Sequence, residues 1–244
     1  MSTNIIVIGS KGRMGQRICA LIQADPLLTL KAGVDQGDKL EDVITGADAI
    51  IDFSSRESSV HNAQIAAEHG VPIVIGTTGL SENETALITA ASKKVAIIHA
   101  PNMSIGVNVL FNIVEKAAKA FGMNMRIDLE ETHHIHKKDS PSGTAVRVLE
   151  HALKGSGFKP DQVSYVEGPE ANVAQDKPVS CRALREGEVI GDHGVTFSNE
   201  QESLTISHHA KTRDIFAAGS LTAAKWIVGK APGKYSMFDV LGLK

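Results

Sequence analysis

An apolar run, Ile5-Ile6-Val7-Ile8, passes directly into Gly9-Ser10-Lys11-Gly12-Arg13-Met14-Gly15 and then into a helical stretch ending near Ala24. This strand, glycine turn and helix limit the possible fold more than any other feature of the chain. The first glycine permits a tight turn, the second lets backbone approach a pyrophosphate, and the third lets the helix pack closely on the strand. Further apolar runs follow at Leu28–Val34, Ala49–Phe53, Pro72–Ile75 and Val95–His99, with helical stretches at Ser58–His69 and Ser81–Ser92. Continuously apolar, mostly β-branched runs suit strands buried on both faces of a parallel sheet. Their alternation with helices predicts a doubly wound α/β sheet with right-handed crossovers.

Beyond Asn102 the pattern changes. A long helix (Ile105–Phe121), a strand (Arg126–Thr132) and a helix from Thr144 to Leu153 are followed by residues 155–178, which are rich in Gly, Pro and polar residues and read as a long loop. Two alternating runs, Val189–Ser198 and Ser203–His209, read as antiparallel strands, and Ile215–Val228 is apolar at helical spacing. The expected organisation is a Rossmann-like dinucleotide-binding domain over residues 1–104 plus 215–244. A second α+β domain, over 105–214, would bind substrate.

Hydrophobic residues make up 42% of the chain and charged residues 22%, with a net charge of −3, as in an ordinary globular protein. No basic excess points to nucleic acid, and no apolar run is long enough for a membrane span. Cys19 and Cys181 form no CxxC pattern, so free thiols in a reducing compartment, the cytoplasm, are expected.

Asp35 ends the second strand twenty residues beyond Gly15, where a carboxylate can accept hydrogen bonds from ribose hydroxyls. The bland alternative is a structural glycine turn with a surface aspartate. Gln36 follows, so a 2′-phosphate would meet a carboxylate with no adjacent guanidinium. That leans toward NADH over NADPH unless Lys11, Arg13 or Lys39 compensates. Gly76-Thr77-Thr78-Gly79 and Ala100-Pro101-Asn102-Met103 follow the fourth and fifth strands, at the edge where open α/β sheets bind ligands. Two ordinary turns with a helix cap would read the same way.

The densest chemistry runs from Glu131 to Ala145: Glu-Thr-His-His-Ile-His-Lys-Lys-Asp-Ser-Pro-Ser-Gly-Thr-Ala. Imidazoles exchange protons near neutral pH, and ammonium groups hold anions. Ser142-Gly143-Thr144 offers hydroxyls and N–H groups at a helix start, which together with Lys137 suits a carboxylate. Three other readings compete. His134 and His136 have the H-x-H spacing of zinc ligands, although the lysines would oppose a cation and no further ligand is obvious. The segment also reads as a solvated loop before a capped helix. Ser142 or Ser104 as a nucleophile lacks the G-x-S-x-G elbow. His208 and His209 lie on a predicted strand and read as structural.

Taken in order, the glycine loop, Gly-Thr-Thr-Gly, Ala-Pro-Asn-Met-Ser and the E-x-H-H-x-x-K-x-D-x-P-S-G-T-A segment resemble the 4-hydroxy-tetrahydrodipicolinate reductase family, nearly end to end. The resemblance implies a homotetramer, its central domain serving substrate binding and tetramerisation. The implied reaction is reduction of a cyclic dicarboxylate with loss of water by NADH or NADPH, in the diaminopimelate route to lysine. It implies no metal. Residues Gly9, Ser10, Lys11, Gly12, Arg13, Met14 and Gly15 would hold the dinucleotide, with Asp35, Gly76, Thr77, Thr78, Ala100, Pro101, Asn102 and Met103. His133 would be the acid/base residue and Lys137 its partner as proton donor. His134, Gly143 and Thr144 would touch substrate, with Ser142 beside them. Gln36, the short segment between Asp35 and Ala49, and residues 155–178 depart from the family pattern. Two alternatives remain open on the residues: another NAD(P)-dependent dehydrogenase of the same scaffold, and a non-enzymatic dinucleotide sensor.

Overall fold

A computed structural model describes residues 2–169, 172–174 and 176–244. It divides into two compact units, Met1–Ile105 with Asp214–Lys244, and Gly106–Arg213.

The first unit is a parallel sheet clothed by helices. Its elements are β1 (Thr3–Ile8), α1 (Arg13–Ala24), β2 (Leu28–Val34), β3 (Ala49–Asp52), α2 (Arg56–His69), β4 (Ile73–Ile75), α3 (Glu82–Ala91) and β5 (Ala96–His99). The chain returns to this unit as α6 (Asp214–Ile227), β11 (Gly233–Tyr235) and α7 (Met237–Val240), after the elements of the second unit. Strand order is β11-β5-β4-β3-β1-β2, and every pairing is parallel.

Alternation within the apolar runs builds two cores. Ile5, Val7, Ile51 and Ile98 pack with Ile18 of α1 and Ala224 of α6, while Ile6, Ile8, Ile50 and Ile97 pack with Ala63 of α2 and Ile88 of α3. Burial on both faces is why these strands are apolar at every position. β2, at the sheet edge, is instead exposed at alternate residues. The capping box of Ser81 and Glu84 forms at α3, and the stretch between Val34 and Ala49 holds one 3-10 turn, Leu40–Asp42. β11 was not legible: three residues, one of them Lys234, carry too little periodicity to register.

The second unit contains α4 (Ile105–Phe121), β6 (Arg126–His133), α5 (Gly143–Ser156), β7 (Val163–Glu167), β8 (Val179–Arg185), β9 (Asp192–Ser198) and β10 (Ser203–His209). Its sheet order is β10-β9-β6-β8-β7, with β6 antiparallel to β9 and parallel to β8. One expectation is corrected here, and one strand was not foreseen. Residues 155–178 are not one loop: α5 runs on to Ser156 and Val163–Glu167 forms an edge strand, although positions 170, 171 and 175 of that stretch lie outside the described residues. The stretch 179–185 is a strand beside the central one. Small Cys181 and Ala183 carry its inward face, so the sequence shows little apolar contrast there. The antiparallel pair forms in register, Ser203 opposite Ser198, though β9 starts at Asp192 rather than Val189.

Candidate active site

In the first unit, parallel strands bring all their carboxyl ends to one sheet edge, and the chain reverses direction across the sheet at β1, between β2 and β3. Ligands of open α/β sheets bind at such switch points. Gly9 has φ +75, and a Cβ there would lie 2.5 Å from the Phe53 carbonyl oxygen. A Cβ on Gly15 would lie 2.0 Å from the Gly9 carbonyl oxygen, so α1 seats directly under the turn only because Gly15 is bare. Gly12 precedes α1 as its N-cap and offers no capping side chain, and the first turn holds no acidic residue, which leaves the positive end of α1 open to an anion.

Asp35 closes the other side of this turn. Its carboxylate accepts the Lys11 N–H at 2.8 Å and the Gln36 N–H at 2.9 Å. Those two amides, the Lys11 amide first, hold its pKa below the ordinary value. It stays an ionised acceptor with lone pairs to spare for ribose hydroxyls. A cleft of about 720 Å³ opens here, lined by Gly9, Asp35, Lys39, Ser54, Ser58 and His61 among others. Ser54 was not anticipated. It is fixed by Asp52, a fully buried residue that accepts from the Ser54 backbone and hydroxyl and from Asn62 Nδ2.

The βα segments Gly76–Thr78 and Ala100–Met103 end β4 and β5 on this same edge, but several of their side chains turn inward. Thr77 is buried and accepts from the Ser59 hydroxyl at 2.8 Å, while Ala100 and Met103 belong to the core. Thr78 and Pro101 are exposed, and Asn102 Oδ1 accepts from the Ser104 N–H.

The second unit builds a different arrangement from strand register. Glu131 and His133 sit two apart on β6 and share one face. Opposite Glu131 stands His193 on β9, and opposite His133 stands Arg185 on β8. One patch of sheet thus collects a carboxylate, two imidazoles and a guanidinium. Glu131 is fully buried; its Oε2 pairs with His133 Nδ1, and its Oε1 accepts the Ser142 N–H at 3.0 Å and Arg185 Nη1 at 3.2 Å. Burial opposes its charge, but the His133 and Ser142 hydrogen bonds and the neighbouring positive charges outweigh it, holding Glu131 below the usual carboxylate range.

His193 is buried, with its Nε2 3.1 Å from the Ser142 hydroxyl and its ring edge-on to His133 at 5.2 Å. Burial, then the charge of His133, pushes its pKa down to about 3, so it is neutral at working pH. Gly191 makes room on the other side of His133: a Cβ there would come 2.9 Å from Nε2.

The loop after β6 carries the remaining groups. Lys137 Nζ donates to Asp139 at 2.8 Å. Arg185 donates to the carbonyls of Asp139 (2.7 Å) and Lys137 (3.4 Å), tying this loop to the same guanidinium that holds Glu131. His134 Nδ1 is buried with no hydrogen-bond partner among the described residues, and burial followed by the charge of Arg213 lowers its pKa. His136, 72% exposed, faces Glu188 at 3.7 Å as a surface pair. Ser142 differs from expectation in one respect. It is only 2% exposed and its hydroxyl caps α5 at the Ala145 N–H, so it shapes the helix start rather than presenting a side chain to a ligand. Glu131, Arg185, His193 and Arg213 were all missed by sequence reasoning as site residues. Glu131 lay in the quoted segment, but nothing in one sequence shows which residues of β8 and β9 pair with it.

Glu131, His133 and His193 offer ligand atoms all within 4.8 Å of one another. By donor type the set suits zinc, yet both Glu131 oxygens are already engaged by three donors and Arg185 stands against a cation. The geometry is that of a hydrogen-bonded carboxylate–imidazole pair.

A dinucleotide cradle on one unit and a carboxylate-backed histidine beside a lysine loop on the other define a Rossmann-type oxidoreductase. Family models described as the N-terminus and C-terminus of dihydrodipicolinate reductase match residues 3–103 and 106–241. The chain belongs to the dihydrodipicolinate reductase family. It is 38% identical to the 4-hydroxy-tetrahydrodipicolinate reductase of Anaeromyxobacter dehalogenans, over 99% of this chain and 98% of that protein. To the enzyme of the same name from Desulfotalea psychrophila it is 40% identical, over 99% of each chain. Among solved structures, dipicolinate-bound dihydrodipicolinate reductase from Paenisporosarcina sp. TG-14 shares the fold, with a TM-score of 0.80 at 19% identity over 98% of this chain and 99% of that one. The diaminopimelate dehydrogenase of C. glutamicum is a more distant likeness, with a TM-score of 0.59 at 11% identity over 98% and 93%.

Proposed function

We propose that this chain reduces 4-hydroxy-tetrahydrodipicolinate to tetrahydrodipicolinate, releasing water and consuming NADH or NADPH and a proton, in the diaminopimelate route to lysine. The single observation that carries the reading is the buried Glu131–His133 pair at the head of the loop bearing Lys137. Another dehydrogenase of this scaffold has no need of that constellation, and a dinucleotide sensor has no need of a poised proton donor.

When bound, the dinucleotide supplies hydride; Asp35, the Gly9–Gly15 turn and the open end of α1 are the groups that hold it. Lys137 and the N–H groups of the α5 first turn, at Gly143 and Thr144, meet a substrate carboxylate, and Arg213 beside His134 adds a second cation suited to a dicarboxylate. Loss of the 4-hydroxyl as water leaves a conjugated imine, hydride adds at ring C4, and the resulting enamine takes a proton. His133 gives that proton, with Lys137 as its partner. The ionised Asp35, with Gln36 beside it, favours NADH over NADPH.

Assembly as a homotetramer rests on the sheet of the second unit. Its face away from Glu131 carries Asp128, Glu130, Arg182, Thr196 and Thr205 around a hollow of about 360 Å³, and edge strand β10 is largely exposed. Light scattering tests it; a monomer in solution would count against it. No helix among the described residues is long and apolar enough to cross a membrane.

The decisive experiment follows NADH and NADPH oxidation with freshly generated 4-hydroxy-tetrahydrodipicolinate. Consumption of at least one dinucleotide, dependent on both enzyme and substrate, is expected. Folded protein that consumes neither would sink the reading.

A further inference from the structure

We propose that Glu131 is the positioning residue of the site: it fixes the His133 ring with its proton on Nδ1, turning Nε2 toward the reaction, while Arg185 ties the same carboxylate to the Lys137 loop. This inference rests on the reading of His133 as proton donor.

The geometry leaves little freedom. An ionised carboxylate only accepts hydrogen bonds, so the Glu131 Oε2 contact requires Nδ1 to donate. Nε2 is then the nitrogen that exchanges a proton, and it lies on the side where Gly191 has no side chain. Arg185 spans the layer beneath: Glu131 Oε1 at 3.2 Å, the Asp139 carbonyl at 2.7 Å and the Lys137 carbonyl at 3.4 Å. Backbone bonds from Glu186 N–H to the His133 carbonyl (2.8 Å) and from Ile135 N–H to the Gly187 carbonyl (3.1 Å) stitch the same two segments together. Neutral His193 places no like charge beside a protonated His133.

Glu131→Gln has a consequence that a purely structural role would not produce. Ser142 N–H and Arg185 both donate to Oε1 and require an acceptor there. The glutamine carbonyl must take that place, which turns its NH2 group toward His133 Nδ1. Nδ1 then has to accept, and the ring proton moves to Nε2, the wrong nitrogen.

The test uses the full chain saturated with dinucleotide, with ¹⁵N-labelled histidine. In the wild-type protein the neutral His133 ring is expected to carry its proton on Nδ1; a proton on Nε2 would overturn the inference without any variant. In Glu131→Gln the proton is expected on Nε2, with kcat reduced by about 10²-fold and KM little changed. Glu131→Asp should restore part of kcat. If Glu131→Gln keeps the wild-type kcat and the proton on Nδ1 while His133→Ala loses activity, the positioning role is wrong and the reading of His133 stands. If both variants turn over normally, the reading of His133 itself has failed.

Discussion

Gly191 stands against the Nε2 edge of His133, so close that a Cβ would lie 2.9 Å from that nitrogen. The imidazole is held at Nδ1 by Glu131 and cannot retreat without breaking that contact. Gly191→Ala should therefore displace the ring and lower kcat by about 10–10²-fold, since small misplacements of catalytic groups are this costly. Dinucleotide affinity should be unchanged. Steady-state kinetics and a dinucleotide titration on the same protein check it; wild-type kcat would show that the ring tolerates the methyl group.

His133→Ala and Lys137→Ala should each reduce kcat by about 10²–10⁴-fold, the range expected for loss of a positioned proton donor or its charged partner. Both residues lie on the second unit, so binding of NADH to the first should persist. Fluorescence titration of bound NADH beside the turnover assay separates the two effects.

Asp35→Ala should weaken NADH by about 10-fold or more, the cost of losing hydrogen bonds to a charged acceptor. Gln36→Arg should instead improve NADPH relative to NADH by supplying the missing guanidinium. The ratio of kcat/KM for the two dinucleotides reads both changes.

Acid should destabilise the second unit through His193. Its native pKa is about 3 against an ordinary 6.5, so between those values the unfolded chain binds a proton that the native state refuses. Stability then rises with pH across this window and falls on acidification, by up to about 1.4 kcal/mol per pH unit from this group. Glu131, with its pKa lowered, acts in the same sense: its contribution is present above the ordinary carboxylate range and is lost as pH falls through its native pKa. Urea unfolding at pH 7 and pH 5 should show a smaller loss in His193→Gln than in wild type.

Much of the first unit was legible because its signals are local. Gly9, Gly12 and Gly15 lie in one turn, Asp35 lies at the end of the next strand, and continuously apolar runs such as Ile5–Ile8 declare strands buried on both faces. The second unit hid more. β8 reads Val-Ser-Cys-Arg-Ala-Leu-Arg and shows little contrast, and Val163–Glu167 is an edge strand inside a polar stretch. Ser142 shows the limit within a correctly located motif. Its position at a helix start was evident, but its use as a buried cap against His193 depends on a strand fifty-one residues away in sequence.

By itself the sequence determined the chemical inventory and the local elements: a glycine turn between a strand and a helix, an acid at the end of the next strand, and a histidine–lysine segment entering a helix. These follow from backbone sterics, side-chain period and capping, which act over a few residues. Only the tertiary structure decided which of those groups are free to act. Sheet register set Glu131 opposite His193 and Arg185 opposite His133; burial then made one histidine neutral, while hydrogen bonds from His133 and Ser142 kept one buried carboxylate charged against the same burial. Register and burial are properties of strands distant in sequence, settled by how two faces pack, and no local pattern carries them.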